Sequence, residues 1–161
     1  MRARRAVHPL LLEPTYWRNR LQELQVGRPS LLITPRPDLS RGGKDVVEFR
    51  IRAHDGARLW GLLARPEWAD GNRPARIRSV GPHQRPEIDR NTVEDGVADL
   101  VFQEPAGRRL EDRVLDVVRI CQMAFATEGV DRFQVSFSCP RGDQAPDEFL
   151  IAEQLFAGNF C

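Results

Sequence analysis

Lysine is all but missing from this chain of 161 residues: Lys44 stands alone, and arginine supplies the other 23 of 24 basic side chains. Schiff-base chemistry therefore has a single candidate amine, in a loop-like stretch with no pocket visible around it. Cysteine is nearly as scarce. Cys121, Cys139 and Cys161 are too few and too scattered for a disulfide framework, no Cys-x-x-Cys occurs, and the odd count suits a reducing compartment. His8, His54 and His83 lie far apart without metal-ligand spacing, and neither a Gly-rich phosphate loop nor a dinucleotide fingerprint is present. No metal and no cofactor is expected. Long apolar runs are absent too. The run from Val7 to Leu12 is broken by His8 and Pro9 and stopped by Glu13, too short for a signal core, and no stretch approaches a membrane span. The expectation is a cytoplasmic protein with no membrane attachment. Charge of one sign is lacking as well: 24 basic against 23 acidic residues leave +1, so no global field draws the chain to nucleic acid.

What is present is one domain's worth of chain with 41% apolar residues. Residues 1–44 read as an arm. Thr15 can cap a short helix through Val26, with Trp17, Leu21 and Leu24 on one face, and Pro29, Pro35, Pro37 and Gly42-Gly43 then hold an open loop. Residues 45–161 read as an α/β domain. Val47, Phe49 and Ile51 alternate with Glu48, Arg50 and Arg52, the period of a half-buried strand. Asp55-Gly56 signals a tight turn, and Ala57 to Ala64 returns through Leu59, Trp60, Leu62 and Leu63 before Pro66.

Ala75 to Val80 is the next strand. Arg76 and Arg78 share one of its faces, which predicts an edge position or a ligand-facing role. A polar loop is expected from Gly81 to about Gly96, then a strand over Ala98 to Phe102. Leu110, Val114, Val117, Val118, Cys121 and Phe125 form a stripe that predicts a helix from about Arg109 to Thr127, with Glu111 and Asp112 in its first turn and Gly129 past its end. Cys121 belongs to that stripe and reads as core. Phe133, Val135 and Phe137 alternate as a strand, and Pro146 opens a last helix through about Leu155, apolar nearly all round. The order predicts an α/β fold in which an antiparallel hairpin leads into a partly parallel sheet with flanking helices.

The segment from Phe49 to Pro66, with Asp55-Gly56 at its turn, resembles the opening hairpin of α/β-hydrolases of the acetyl xylan esterase and dienelactone hydrolase kind. The resemblance spans about residues 45–157 and implies an incomplete α/β-hydrolase-like domain corresponding to the front half of such an enzyme. Arg73 to Pro82 is similar to the strand and loop that supply an oxyanion hole, and Gly129 to Val135 to the lead-in of the nucleophile elbow. At the elbow the family has Gly-x-Ser-x-Gly. This chain has Phe137-Ser138-Cys139-Pro140-Arg141. Cys139 falls at the nucleophile position, where a thiolate is acceptable chemistry. Both glycines are replaced, and Pro140 has no backbone N–H to lend to an oxyanion. Losing one such donor typically costs about two to three orders of magnitude in rate. The chain is also expected to stop before the strands that would bring the acid and the histidine.

Arg73, Arg76, Arg78, Arg85 and Arg90, with His83, form the densest cationic stretch and have the chemistry to grip a phosphate, a carboxylate or RNA. Glu87, Asp89, Glu94 and Asp95 dilute its field and no aromatic residue interleaves, so nucleic acid is not the expected partner. Three readings result. The leading one is a non-catalytic α/β-hydrolase-like domain serving as a binding or assembly module, in a homo-oligomer or with a protein partner. The second is an esterase- or thioesterase-like hydrolase using Cys139, its site completed by another subunit. The third is an anion or nucleic-acid binder through the segment from Arg73 to Arg90, with Arg76, Arg78, His83 and Arg85 as its anion-binding residues.

Overall fold

The computed structural model describes residues 16, 19, 22, 31–53, 55–68, 71–138 and 148–149. Its strands are β1 (Leu31–Pro35), β2 (Lys44–Arg52), β3 (Arg58–Pro66), β4 (Arg73–Val80), β5 (Ala98–Gln103) and β6 (Val130–Ser138), with helix α1 (Arg90–Glu94) before β5 and helix α2 (Leu110–Ala126) after it. They form one sheet in the order β1-β2-β3-β5-β4-β6. The β1, β2, β3 and β5 neighbours run antiparallel, whereas β4 pairs parallel with both β5 and β6. The hairpin, the strand before α2, the helix itself and the strand after it all stand where periodicity put them. Tyr16, Asn19 and Gln22 are helical, as are Glu148 and Phe149; the rest of the two expected terminal helices lies outside the described residues, as does His54.

The β2–β3 turn shows why the pattern was readable. Gly56 takes φ +85°, open only to glycine without strain, and the Asp55 carboxylate accepts the Ala57 N–H at 3.1 Å. Ala53 N–H donates to Ala57 at 2.7 Å and sets the register that continues through Ile51–Leu59 and Phe49–Gly61.

Three expectations need correction. Residues 31–35 are not open loop: Leu31–Pro35 pairs antiparallel with β2. Pro35 is tolerated because of the ladder's alternation. Arg36 N–H donates to Val46 at 2.9 Å, so Thr34 and Leu32 also direct their backbone groups at β2, while Pro35, Ile33 and Leu31 turn theirs outward. The missing donor of proline falls on the free edge. Second, β4 is no edge strand; it lies between β5 and β6, and its arginines are matched by acidic and hydroxyl side chains described below. Third, the loop after β4 contains α1, capped by the Asp89 side chain accepting the Asn91 N–H at 3.0 Å.

Among the described residues each face of the sheet carries a hydrophobic core. On one face α2 covers Phe49, Leu59, Leu63, Ile77, Leu100 and Phe102 with Val117, Ile120, Cys121 and Ala124, and Phe149 stacks on Phe137 at 5.1 Å between ring centres. On the other, Val93 of α1 joins Val46, Leu62, Ala64 and Val101, with Leu39, Val80 and Ile88 at the margin. Gly61 of β3 is fixed by packing. A β-carbon there would stand 2.1 Å from the Val101 carbonyl oxygen, 2.7 Å from the tip of Phe49 and 2.8 Å from the Phe102 Cα. Gly61→Ala is therefore expected to cost at least about 2 kcal/mol, read as a lower urea midpoint at unchanged slope; a midpoint within error of wild type would refute this packing argument.

Candidate functional site

In open α/β sheets ligands bind beyond the carboxyl ends of the parallel strands, where the strand order reverses. Here the order reverses at β4: the chain passes to β5 on one side, then through α2 to β6 on the other. Val80 is opposite Gln103, and Arg78 opposite Ser138, so the three carboxyl ends lie side by side.

On the face toward α1, Asp99 of β5 is fully buried. Arg78 donates to both its oxygens, at 3.1 and 2.8 Å, and the Asp89 N–H adds a third bond at 2.8 Å. Arg78 also donates to the Glu87 carbonyl. Arg76 donates to Thr92 Oγ1 at 3.0 Å and to Ser138 Oγ, and lies 3.5 Å from Asp89. These arginines hold α1 and its preceding loop against the sheet.

On the face toward α2, Ser79 donates to Glu104 at 2.9 Å. Burial pushes the Glu104 carboxyl above the usual glutamate range; the Ser79 hydrogen bond opposes this and the nearby Glu148 adds to it. Arg113 lies 3.6 Å from Glu148. Arg108 forks onto the buried Asp116 at 2.9 and 2.6 Å and also donates to Asp55 at the hairpin turn, contacts that raise its pKa further.

Between the two faces, the loop after β4 closes on itself. The Gly81 N–H, which the family resemblance places in the oxyanion loop, donates to Gln84 Oε1 at 3.0 Å. Gln103 donates to the Gln84 carbonyl at 2.9 Å and accepts from the Trp60 indole at 2.6 Å.

The proposed anion residues are thus divided. Arg76 and Arg78 are engaged on the α1 face, His83 and Arg85 are exposed in the loop, and Arg85 lines a cleft with Lys44, Trp60 and Arg90. Cys139 lies outside the described residues; Ser138, just before it, holds Arg76. Cys121 is fully buried and burial pushes its thiol far up, as its place in the α2 stripe implied. Sequence reasoning missed Asp99, Glu104, Arg108 and Asp116. Asp99 sits in Ala-Asp-Leu-Val-Phe and Asp116 in the α2 stripe, and an acid within an apolar run requires a buried cation as partner. That signal was available.

No family model matches the chain, and no curated protein matches it by sequence. Solved structures do match. An acetyl xylan esterase from a Thermoanaerobacterium species aligns with TM-score 0.69 and 17% identity over 88% of this chain and 54% of its own. An acetyl xylan esterase from a Paenibacillus species aligns with TM-score 0.64 and 13% identity over 78% of this chain and 50% of its own. What is shared at such identity is the fold: a partial α/β-hydrolase-like domain, spanning about half the length of these esterases.

Two outcomes are expected. Arg78→Ala, which strands a buried carboxylate, should cost about 3–5 kcal/mol in denaturant unfolding, and Arg78→Met with Asp99→Leu should recover most of that loss. No recovery would mean that the pair contributes more than neutralisation. For Glu104, a carboxyl harder to ionise when folded lowers stability once the pH exceeds the range where the unfolded chain ionises, and the cost vanishes below that range. Glu104→Gln keeps an acceptor for Ser79. It should raise the urea midpoint near pH 7 and confer no gain below about pH 4; an equal gain at both would exclude burial of the charge as the cause.

Proposed function

We propose that this chain works as a binding or assembly module built on half of an α/β-hydrolase-like fold, and not as a hydrolase acting alone. The observation that carries this reading is the internal engagement of the Gly81 N–H by Gln84 at the end of β4. An oxyanion hole needs donors aimed at empty space before substrate arrives. Here that donor is spent, and Pro140 has none to give. The neighbouring polar groups are similarly answered from within: Ser79 by Glu104, Arg76 by Thr92 of α1, and Arg78 by Asp99.

The assembly side of the proposal is supported by β6. Among the described residues it pairs only with β4, leaving the backbone groups of its other edge without a strand. Such an edge is a template for another chain. A second copy or a protein partner completing the sheet there fits the half-length match to the esterases.

Two measurements test the proposal. With 4-nitrophenyl acetate, purified wild type and Cys139→Ala should hydrolyse no faster than each other or than buffer. Light scattering after size exclusion should give a multiple of the 18.4 kDa chain, or a co-purified partner. Turnover abolished by Cys139→Ala would replace the proposal with a cysteine hydrolase. A single-copy mass at high concentration, with nothing bound, would remove its assembly half.

A further inference from the structure

Two neighbouring clefts open on the α1 side of the sheet, the larger reaching Trp60 and the loop after β4. The larger, of about 440 Å³, has Leu39, Trp60, Leu62, Pro86 and Ile88 as its apolar lining. The smaller, of about 170 Å³, holds Trp68 and Val93. Lys44 and Arg90 line both. Arg85 adds a cation to the first cleft and Arg41 to the second, against Glu87 and Glu94.

The cations of these clefts differ in how they are paired. Arg36, also in the larger cleft, is spent on Asp38 at 2.7 Å and Glu48 at 3.5 Å. Arg76 and Arg78 are spent on the α1 cap and Asp99. Among the described residues no ion pair engages Arg41, Lys44, Arg85 or Arg90. Arg90 opens α1, where a positive charge opposes the helix end instead of supporting it. Helix stability therefore does not account for it. Trp60 is half-buried, its ring held in place by the 2.6 Å bond to Gln103. An anchored indole beside unanswered cations offers an apolar contact and a charged contact to one ligand.

We infer that this pair of clefts is a binding site for a small organic anion, with a planar or acyl body against Trp60, Leu62 and Ile88 and a phosphate or carboxylate head at Lys44, Arg85 and Arg90. The site is independent of the assembly proposal, since neither β6 nor Cys139 contributes to it. A single nucleic-acid strand is the competing occupant, because two tryptophans flanking a cationic band also suit stacked bases.

The probe is 2-naphthyl phosphate, titrated by calorimetry and followed through the indole N–H signals of ¹⁵N-labelled protein, with the Trp60 signal assigned by Trp60→Phe. Saturable binding that moves the Trp60 signal is expected, with 2-naphthol at least about tenfold weaker and the affinity falling with salt. Arg85→Gln with Arg90→Gln should weaken binding about tenfold or more while leaving the urea midpoint within error, because both residues are exposed. No saturation at millimolar probe, an unmoved Trp60 signal, or unchanged affinity in the double variant would overturn the inference. Binding of a ten-nucleotide oligothymidylate far tighter than thymidine monophosphate would overturn it in favour of a strand-binding surface.

Discussion

A carboxylate with no access to water sits near the middle of the sheet, and much of the architecture follows from the need to neutralise it. Asp99 requires a cation, and the neighbouring strand supplies Arg78 in a two-pronged contact. It needs a further donor, and the backbone of Asp89 supplies that, which fixes the start of α1. Once α1 is pinned there, Val93 can reach the second core and Thr92 can take Arg76. Replacing such a pair by apolar residues is often neutral or favourable in other proteins. Its value here is geometric: it determines which strand lies beside which and where the loop between them must run.

Local chemistry made the hairpin and α2 legible. Their signals, a period of two with Asp-Gly and an apolar stripe with acidic first turn, need no knowledge of distant residues. The placement of β4 was not legible in the same way. Two arginines on one strand face indicate an edge only if nothing opposes them, and the groups that do are 9 to 62 residues away. β1 was hidden by its own proline, which reads as a breaker until the direction of each backbone group is known. The two clefts were illegible for a further reason. Lys44, Trp60, Trp68 and Arg90 come from four separate stretches, and aromatic residues absent from the arginine-rich segment are supplied by β3 and the turn after it.

The likeness to the esterases is a likeness of fold. In an enzyme of this architecture the carboxyl ends of the parallel strands must keep donors free and a space open. Among the described residues at the ends of β4 and β5 the polar groups meet one another: serine on glutamate, glutamine on backbone, arginine on aspartate. Among the described residues, Arg41, Lys44, Arg85 and Arg90 carry no ion pair and line the clefts on the α1 face. A fold can carry a site at either place, and where polar groups remain unsatisfied is the better guide to which one is used.

The outward-turned Pro35 has a consequence for how far association can spread. If two copies join through β6, each outer margin of the combined sheet is, among the described residues, a β1. That strand is five residues long and presents only the Leu31 and Ile33 amides, since its third outward position has no hydrogen to give. A third chain would find too few donors to extend the ladder, despite the apolar side chains there. Among the described residues the two margins are thus unequal, and an association through β6 would favour closed pairs over open-ended fibres.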